Sequence, residues 1–212
     1  MDKHLKQVAV FIDSQNVYMR ARSIFRLNGK NHCEGQIDPL EAGLIIAKKI
    51  NLACELSYIR IYRGIPSNKI DPKGYGAVRK QTSKWSASPQ VETVLRPIHY
   101  PRNWPNSDIK LGLPREKGID VALAVDFVGQ AVEGKFDIGI IFSMDNDLKP
   151  ALEYVGKNFP QINVGVASWW PDDVENEKSR PSTIQVPNIG LLNLRLNSSD
   201  YKVIHDSIDY SR

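Results

Sequence analysis

Short apolar runs alternate along the chain with segments in which apolar residues recur at helical spacing. A short apolar run bounded by polar or turn residues is typical of a buried β-strand. Five such runs predict strands, at residues 7–13, 56–62, 91–98, 137–143 and 162–168.

The segments between these runs predict helices, at residues 39–50, 72–85, 119–132 and 148–158. The first predicted helix starts with Asp38 and Pro39. Aspartate is a favoured N-cap residue, and proline is favoured at the first helical position. The remaining pattern predicts loops at residues 101–118 and 172–178, and one short C-terminal helix after Ser199 or Asp200.

Alternating strands and helices indicate an α/β fold with a parallel sheet that is covered on both faces. With 212 residues the chain is long enough for one sizeable core and short for two, so we expect a single domain over residues 1–212. No apolar run approaches the roughly 20 residues that cross a bilayer, and the first residues lack a signal-peptide pattern. Cys33 and Cys54 support neither a disulfide framework nor a zinc cluster. These features predict a cytoplasmic protein that is not attached to a membrane.

Positive charge is concentrated in the middle of the chain. Between residues 60 and 118 there are 12 lysines and arginines against 4 aspartates and glutamates, whereas the rest of the chain has 16 against 20. This distribution suggests a polyanionic partner. A solvated surface of mixed charge explains the same numbers, and the charge by itself does not decide between the two.

The basic segment contains several candidate contacts for nucleic acid. The second predicted helix carries Arg79, Lys80 and Lys84, which are candidates to contact phosphate groups. Trp85 at its end is a candidate to stack on a base, although a solvated helix with one buried tryptophan accounts for the same pattern. Lys117, just before the third predicted helix, is a further candidate.

Four aspartates occupy equivalent places in the predicted layout. Asp13 ends the first strand, and Asp120 opens the third helix. Asp145 and Asp147 follow the fourth strand. Ligands of open α/β sheets bind outside the carboxyl ends of the strands, so we expect these side chains to converge at one edge. Each aspartate alone also has a structural explanation, as a strand terminus or at a helix N-terminus.

Clustered carboxylates are costly unless a cation neutralises them. Mg²⁺ and Mn²⁺ suit oxygen ligands and usually keep several waters and a substrate phosphate. Such an ion polarises a phosphodiester and helps to generate hydroxide, which is the chemistry of metal-dependent nucleases. We therefore predict a metal-binding and catalytic site made of Asp13, Asp120, Asp145 and Asp147.

Three other polar residues near these positions have open roles. Asn16 is a candidate to hold a carboxylate or a metal-bound water, or to cap the following helix. Ser143 is a candidate to orient its loop or to contact a phosphate, or it simply forms a turn. Asp126 lies six residues after Asp120, about 120° around a helix, which favours a structural role. The four histidines show no metal-ligand spacing.

Three segments resemble the NYN domain family of PIN-like ribonucleases: VAVFIDSQN at 8–16, EKGIDVALAVDFV at 116–128 and FDIGIIFSMDNDLKPAL at 136–152. They occur in the family's order, and the resemblance covers about residues 7–168, which leaves 169–212 as a C-terminal extension. The resemblance implies a Rossmann-like, PIN-type three-layer fold with a central, mainly parallel sheet. It also implies cleavage of single-stranded RNA that depends on Mg²⁺ or Mn²⁺.

The family's motif residues can be carried over onto this chain. The positions that match them are Asp13, Asn16, Asp120, Asp145 and Asp147. Family members often have glycine where this chain has Ser14 and Met144. We expect the larger Met144 side chain to narrow the site or to change substrate access.

Other functions stay open at this point. One is a non-catalytic RNA-binding module with a residual acidic pocket. Another is a Toprim-like or phosphatase-like site for metal-dependent phosphotransfer around Asp145 and Asp147. For the haloacid-dehalogenase type of phosphatase, Gln15 stands where a second aspartate is needed. A homo-oligomer or an inhibitory protein partner is compatible with the ribonuclease hypothesis.

Overall fold

The computed structural model describes residues 5–106, 113–173 and 181–212. Over these residues the chain forms six strands, which are β1 (Lys6–Asp13), β2 (Cys54–Ile65), β3 (Val91–Pro97), β4 (Ile138–Phe142), β5 (Asn163–Trp169) and β6 (Leu192–Leu196). They build one sheet in the order β3-β2-β1-β4-β5-β6, and every neighbouring pair is parallel. The predicted α/β fold with a parallel sheet is confirmed.

Helices cover both faces of this sheet. The described residues form α1 (Ser14–Ile24), α2 (Pro39–Lys49), α3 (Pro72–Trp85), α4 (Ile119–Val132), α5 (Lys149–Asn158) and α6 (Ser198–Ile204). Buried side chains of α1, α2, α3 and α6 belong to the core on one face, which is called the first core below. Those of α4 and α5 belong to the second core, on the other face. The result is a three-layer arrangement.

The central strand β1 explains why the strand signals in the sequence are continuous apolar runs. Val10 and Ile12 lie in the first core, whereas Ala9 and Phe11 lie in the second. Successive side chains of a strand point to opposite faces, so a strand that is covered on both sides is apolar at consecutive positions. These four side chains are fully buried.

The order of the strands places a crevice between β1 and β4. The helices that follow β1 and β2 pack on the first-core face, and those that follow β3 and β4 pack on the second-core face. The chain therefore leaves neighbouring strands toward opposite faces at this point. Such a switch point, outside the carboxyl ends of the strands, is where open α/β sheets bind ligands.

The predicted elements are present with bounds shifted by a few residues, but the sequence pattern does not predict α1 or β6. Within α1 only Val17 and Ala21 are buried, so its apolar stripe is narrow. Strand β6 lies at the edge of the sheet and exposes Asn193 and Arg195 between partly or fully buried leucines. A short edge strand of this kind lacks the continuous apolar run of the central strands.

The predicted short C-terminal helix is α6, which begins at Ser198. Parts of the predicted loops, at residues 107–112 and 174–178, lie outside the described residues. In the part of the chain that the structure describes, no helix has both the length and the apolar composition for crossing a bilayer.

Candidate active site

Asp13 is a buried carboxylate at the carboxyl end of β1. Its side chain caps α1 by accepting a hydrogen bond from the backbone N–H of Asn16 at 3.1 Å. Its second carboxylate oxygen accepts a hydrogen bond from Ser143 Oγ at 3.1 Å. Only 4% of the residue is exposed, and this burial raises the pKa of Asp13 to about 7, with a smaller upward contribution from the charge of Asp120. The carboxyl group therefore changes its charge near neutral pH.

The loop after β4 is tied to the start of α1 by two residues. Ser143 Oγ accepts a hydrogen bond from the backbone N–H of Asp145 at 3.1 Å, in addition to its bond to Asp13. Asn16 Oδ1 accepts a hydrogen bond from the backbone N–H of Met144 at 3.0 Å. Asn16 and Ser143 thus position the backbone and the carboxylates on both sides of the crevice.

Asp120 lies in the first turn of α4. Gly118 precedes this helix with φ of 71°, a left-handed backbone conformation that glycine adopts without a steric penalty. Burial raises the pKa of Asp120 above its ordinary value, and the negative charges of Asp145 and Asp147 raise it further. The helix start thus brings Asp120 within electrostatic range of the loop after β4.

Three of the four predicted aspartates border one cavity of about 240 Å³. They are Asp13, Asp120 and Asp145. Asp147 is exposed and lies in a 3₁₀ turn outside the wall of this cavity. Its backbone N–H donates a hydrogen bond to Asp145 Oδ1 at 3.0 Å, so the two residues form a local turn.

Glu116 is a fourth carboxylate in the wall of this cavity, and the sequence reasoning did not single it out. Its Oε1 accepts a hydrogen bond from the backbone N–H of Gly64 at 2.6 Å. Burial raises the pKa of Glu116, whereas the Gly64 bond and the charge of Arg63 lower it. The available signal was its position in the segment EKGID, four residues before Asp120.

The chemistry of this donor set fits a hard divalent cation, since carboxylate oxygens are the preferred ligands of Mg²⁺ and Mn²⁺. Burial and the charges of neighbouring carboxylates already raise the pKa values of Asp13 and Asp120, and a cation would offset both effects. As they stand, no three Asp, Glu, His or Cys side chains among the described residues are close enough to ligate one ion. A bound ion would therefore reach some of these carboxylates through water, as Mg²⁺ commonly does.

Two of the predicted RNA contacts are engaged within the chain. Lys80 Nζ donates a hydrogen bond to the backbone oxygen of Arg212 at 2.6 Å. Lys84 Nζ lies 3.2 Å from Asp206, which is buried, and 3.7 Å from Asp38. The Lys84 ammonium thus compensates a buried carboxylate, because an unpaired buried charge is costly.

The other two candidate RNA contacts, Arg79 and Lys117, are exposed. Arg79 lies on the outer face of α3, and Lys117 lies just before α4, outside the wall of the acidic cavity.

Asp126 accepts a hydrogen bond from Tyr62 at 2.8 Å and pairs with Arg60 at 3.2 Å. This agrees with the structural role that its helical position favours.

The expectation that Met144 narrows the site is wrong. Its side chain is 4% exposed and packs in the first core. It does not border the acidic cavity. The backbone of Met144 is nevertheless part of the site, because its N–H donates to Asn16.

The family model described as the NYN domain matches residues 7–180. Among solved structures, the chain is similar to a protein of unknown function from Vibrio parahaemolyticus, with a TM-score of 0.57 and 18% sequence identity. This similarity covers 93% of this chain and 97% of that one, and at such identity it concerns the fold alone. No curated protein matches the chain.

Proposed function

The chain belongs to the NYN domain family of PIN-like ribonucleases, and we propose that it is a metal-dependent endoribonuclease that cleaves single-stranded RNA. One observation carries this proposal: Asp13, Asp120 and Asp145 border a single cavity at the carboxyl edge of the sheet. The three residues come from distant parts of the sequence. Asp13 and Asp145 each cap a helical turn, and Asp120 lies in the first turn of α4, but these local roles give no reason for all three to meet.

In this proposal Asp13, Asp120 and Asp145 hold Mg²⁺ or Mn²⁺, directly or through its waters. Asp147 adds negative charge from outside the cavity wall. When bound, the ion would polarise the scissile phosphodiester and favour attack by water.

The surrounding residues would keep this site in one arrangement. Ser143 donates a hydrogen bond to Asp13, and Asn16 accepts one from the backbone of the loop after β4. The carboxylates of Asp13 and Asp145 therefore have fixed positions before the substrate arrives. Such preorganisation lowers the cost of ordering groups during the reaction. Asp13 would be charged above about pH 7, and a cation would keep it charged at lower pH.

Exposed cations, some of them beside the acidic cavity, would bind the RNA backbone. The guanidinium of Arg96 lies beside Gly118, which borders the acidic cavity. Arg96, Arg79 and Lys117 are all exposed. Exposed arginines and lysines bind phosphates without reading the sequence of the nucleic acid.

We place this activity in the cytoplasm. Cys33 and Cys54 are free thiols, and Cys33 is buried. Free thiols are typical of proteins in a reducing compartment. Fractionation of cells that express the tagged chain tests the location, and recovery in an extracellular or periplasmic fraction would contradict it.

Cleavage of an end-labelled single-stranded RNA in the presence of Mn²⁺ tests the function. We expect Asp13→Asn to lower the rate by about 10²-fold or more, because it removes a charged ligand and its electrostatic effect. Asp137→Asn is the matched control. Asp137 accepts a hydrogen bond from the Gln7 N–H at 2.8 Å, just before β4, at the opposite edge of the sheet from Asp13.

The outcomes separate the hypotheses. Equal rates for Asp13→Asn and the wild-type protein would remove the basis of the site assignment. RNA binding without cleavage, and without dependence on divalent metal, would instead identify a non-catalytic RNA-binding module.

A further inference from the structure

A second cavity of about 320 Å³ adjoins the acidic one. Gln15 and Glu116 border both cavities, so the two lie side by side along the carboxyl edge of the sheet. The cleavage chemistry proposed above uses only the acidic cavity.

Arg63, near the end of β2, contributes a positively charged group to this cavity, whose wall also contains the carboxylate of Glu116. Its guanidinium lies 5.8 Å from the ring centre of Trp85, which is 4% exposed and also borders the cavity. Among the described residues Arg63 has no ion-pair partner within 4.0 Å, although the charge of Glu116 acts on it from further away. A half-buried arginine without a contacting anion is suited to bind a phosphate group, for which the planar guanidinium offers several donors.

Two amide side chains give the cavity hydrogen-bonding groups. Gln81 is 3% exposed, and its Nε2 donates a hydrogen bond to Gln36 Oε1 at 3.3 Å. This is the one hydrogen bond of the Gln81 side chain within the described residues, whereas a carboxamide can form about four. A buried amide with spare donors and acceptors, such as that of Gln81, can bind the edge of an unpaired base.

Aromatic side chains complete the wall. Trp85 and Tyr18 both border the cavity, and aromatic rings provide surfaces on which bases stack. The volume lies at the lower end of the range for small-ligand sites. A free phosphate would leave the amides and rings unused, and an apolar ligand would leave Arg63 unused. A planar polar group joined to an anion uses all three features.

We infer that this second cavity receives the base of the nucleotide next to the scissile phosphate, and that Arg63 binds a phosphate of that nucleotide. The inference rests on the proposed function, because the acidic cavity fixes where cleavage occurs. Only an unpaired base can leave its strand and enter such a cavity. The cavity would therefore select single-stranded RNA and give cleavage a preference for one base.

Titration of the metal-free, wild-type protein with each of the four nucleoside 5′-monophosphates tests the inference by NMR. We expect the indole N–H signal of Trp85 to shift as the base enters. The indole of Trp169 is the internal control, because it is fully buried and donates to the Val17 backbone oxygen at 2.8 Å. An unchanged Trp85 signal with all four nucleotides would overturn the inference.

A pair of arginine variants tests the role of the charge. Arg63→Gln removes a charge-assisted contact, so we expect about tenfold weaker nucleotide binding or more. In RNA cleavage KM should rise while kcat changes little. Arg195→Gln is the matched control, since Arg195 also lies over a tryptophan, at 3.9 Å from the ring centre of Trp170, but on the edge strand β6.

These results distinguish a failure of the inference from a failure of the proposed function. If RNA is cleaved but Arg63→Gln binds nucleotide and cleaves like the wild-type protein, the inference is wrong and the function stands. If nucleotides shift the Trp85 signal but RNA is never cleaved, the nucleotide cavity stands and the nuclease proposal fails. The wild-type titration decides the first question even if Arg63→Gln does not fold.

Discussion

Ser143 Oγ donates a hydrogen bond to the carboxylate of Asp13 at 3.1 Å, although the two residues are 130 positions apart in the chain. The same oxygen accepts the backbone N–H of Asp145 at 3.1 Å. A single buried hydroxyl group therefore connects the ends of β1 and β4, and with them two of the carboxylates that border the acidic cavity. This connection makes Ser143 a positioning residue of the proposed site.

Replacing Ser143 with alanine should change the pH dependence of RNA cleavage. The Ser143 bond favours the charged form of Asp13, so its loss raises the pKa of Asp13 further. A smaller fraction of Asp13 is then charged below the pKa, so the rate at acidic pH should fall relative to the wild-type protein and recover at higher pH. A pH–rate profile with Mn²⁺ measures this.

The control for this variant is Ser168→Ala, which changes another buried serine, on β5. Its profile should match that of the wild-type protein. A Ser143→Ala profile without an alkaline shift would contradict the positioning role.

Asp13 should make the free energy of unfolding depend on pH. Its pKa is raised from 3.8 to about 7, so between these values the folded protein binds the proton more tightly than the unfolded chain. The resulting stabilisation is fully present below about pH 4 and is lost as pH rises through about 7. It corresponds to about 4 kcal/mol. Urea unfolding across this range, compared with Asp13→Asn, isolates the contribution of this group.

In Asp13→Asn the neutral amide does not titrate, so the difference in stability from the wild-type protein should vary with pH. The control Asp137→Asn should keep the wild-type pH dependence between pH 4 and 7. Parallel curves for Asp13→Asn and the wild-type protein would show that Asp13 does not titrate as described.

Divalent metal should stabilise the folded protein, and more strongly at alkaline pH. Protons compete with the cation for Asp13 below about pH 7, so Mn²⁺ should raise Tm more at pH 8 than at pH 6. At a concentration 100 times Kd the stabilisation is about 2.7 kcal/mol. Thermal unfolding with and without Mn²⁺ measures this shift.

Two aspartate variants make the metal test specific. Asp120→Asn should remove most of the Mn²⁺ effect because Asp120 borders the acidic cavity. Asp147→Asn should remove less of it because Asp147 is exposed outside the cavity wall. An equal shift of Tm in the wild-type protein and Asp120→Asn would place the metal elsewhere.

Met144 should matter for stability rather than for access to the site. Its side chain packs in the first core, so Met144→Ala should cost about 2–5 kcal/mol, whereas Met144→Leu should cost less than about 1.5 kcal/mol. Chemical denaturation measures both, with the exposed Met19→Ala as a control that should stay within about 0.5 kcal/mol. Faster RNA cleavage by folded Met144→Ala would show that the side chain does obstruct the substrate.

The sequence by itself determined the layers of this protein and the acidic residues that stand at the carboxyl ends of its strands. Strands such as β4 are covered on both faces, so their apolar runs are visible without knowledge of the fold. The ends of those runs are local features as well. Asp13 and Asp145 could therefore be assigned to the carboxyl ends of strands, where a parallel sheet brings them to one edge.

Only the tertiary structure decided which side chains border the acidic cavity and which ones have their partners elsewhere in the fold. Glu116 enters its wall beside Gly64, Lys84 turns to the buried Asp206, and Met144 packs in the core. These outcomes depend on partners that are distant in sequence, such as the 122 positions between Lys84 and Asp206. Periodicity reports the burial of an element's face, whereas the direction of one side chain follows from the charges and volumes packed against it.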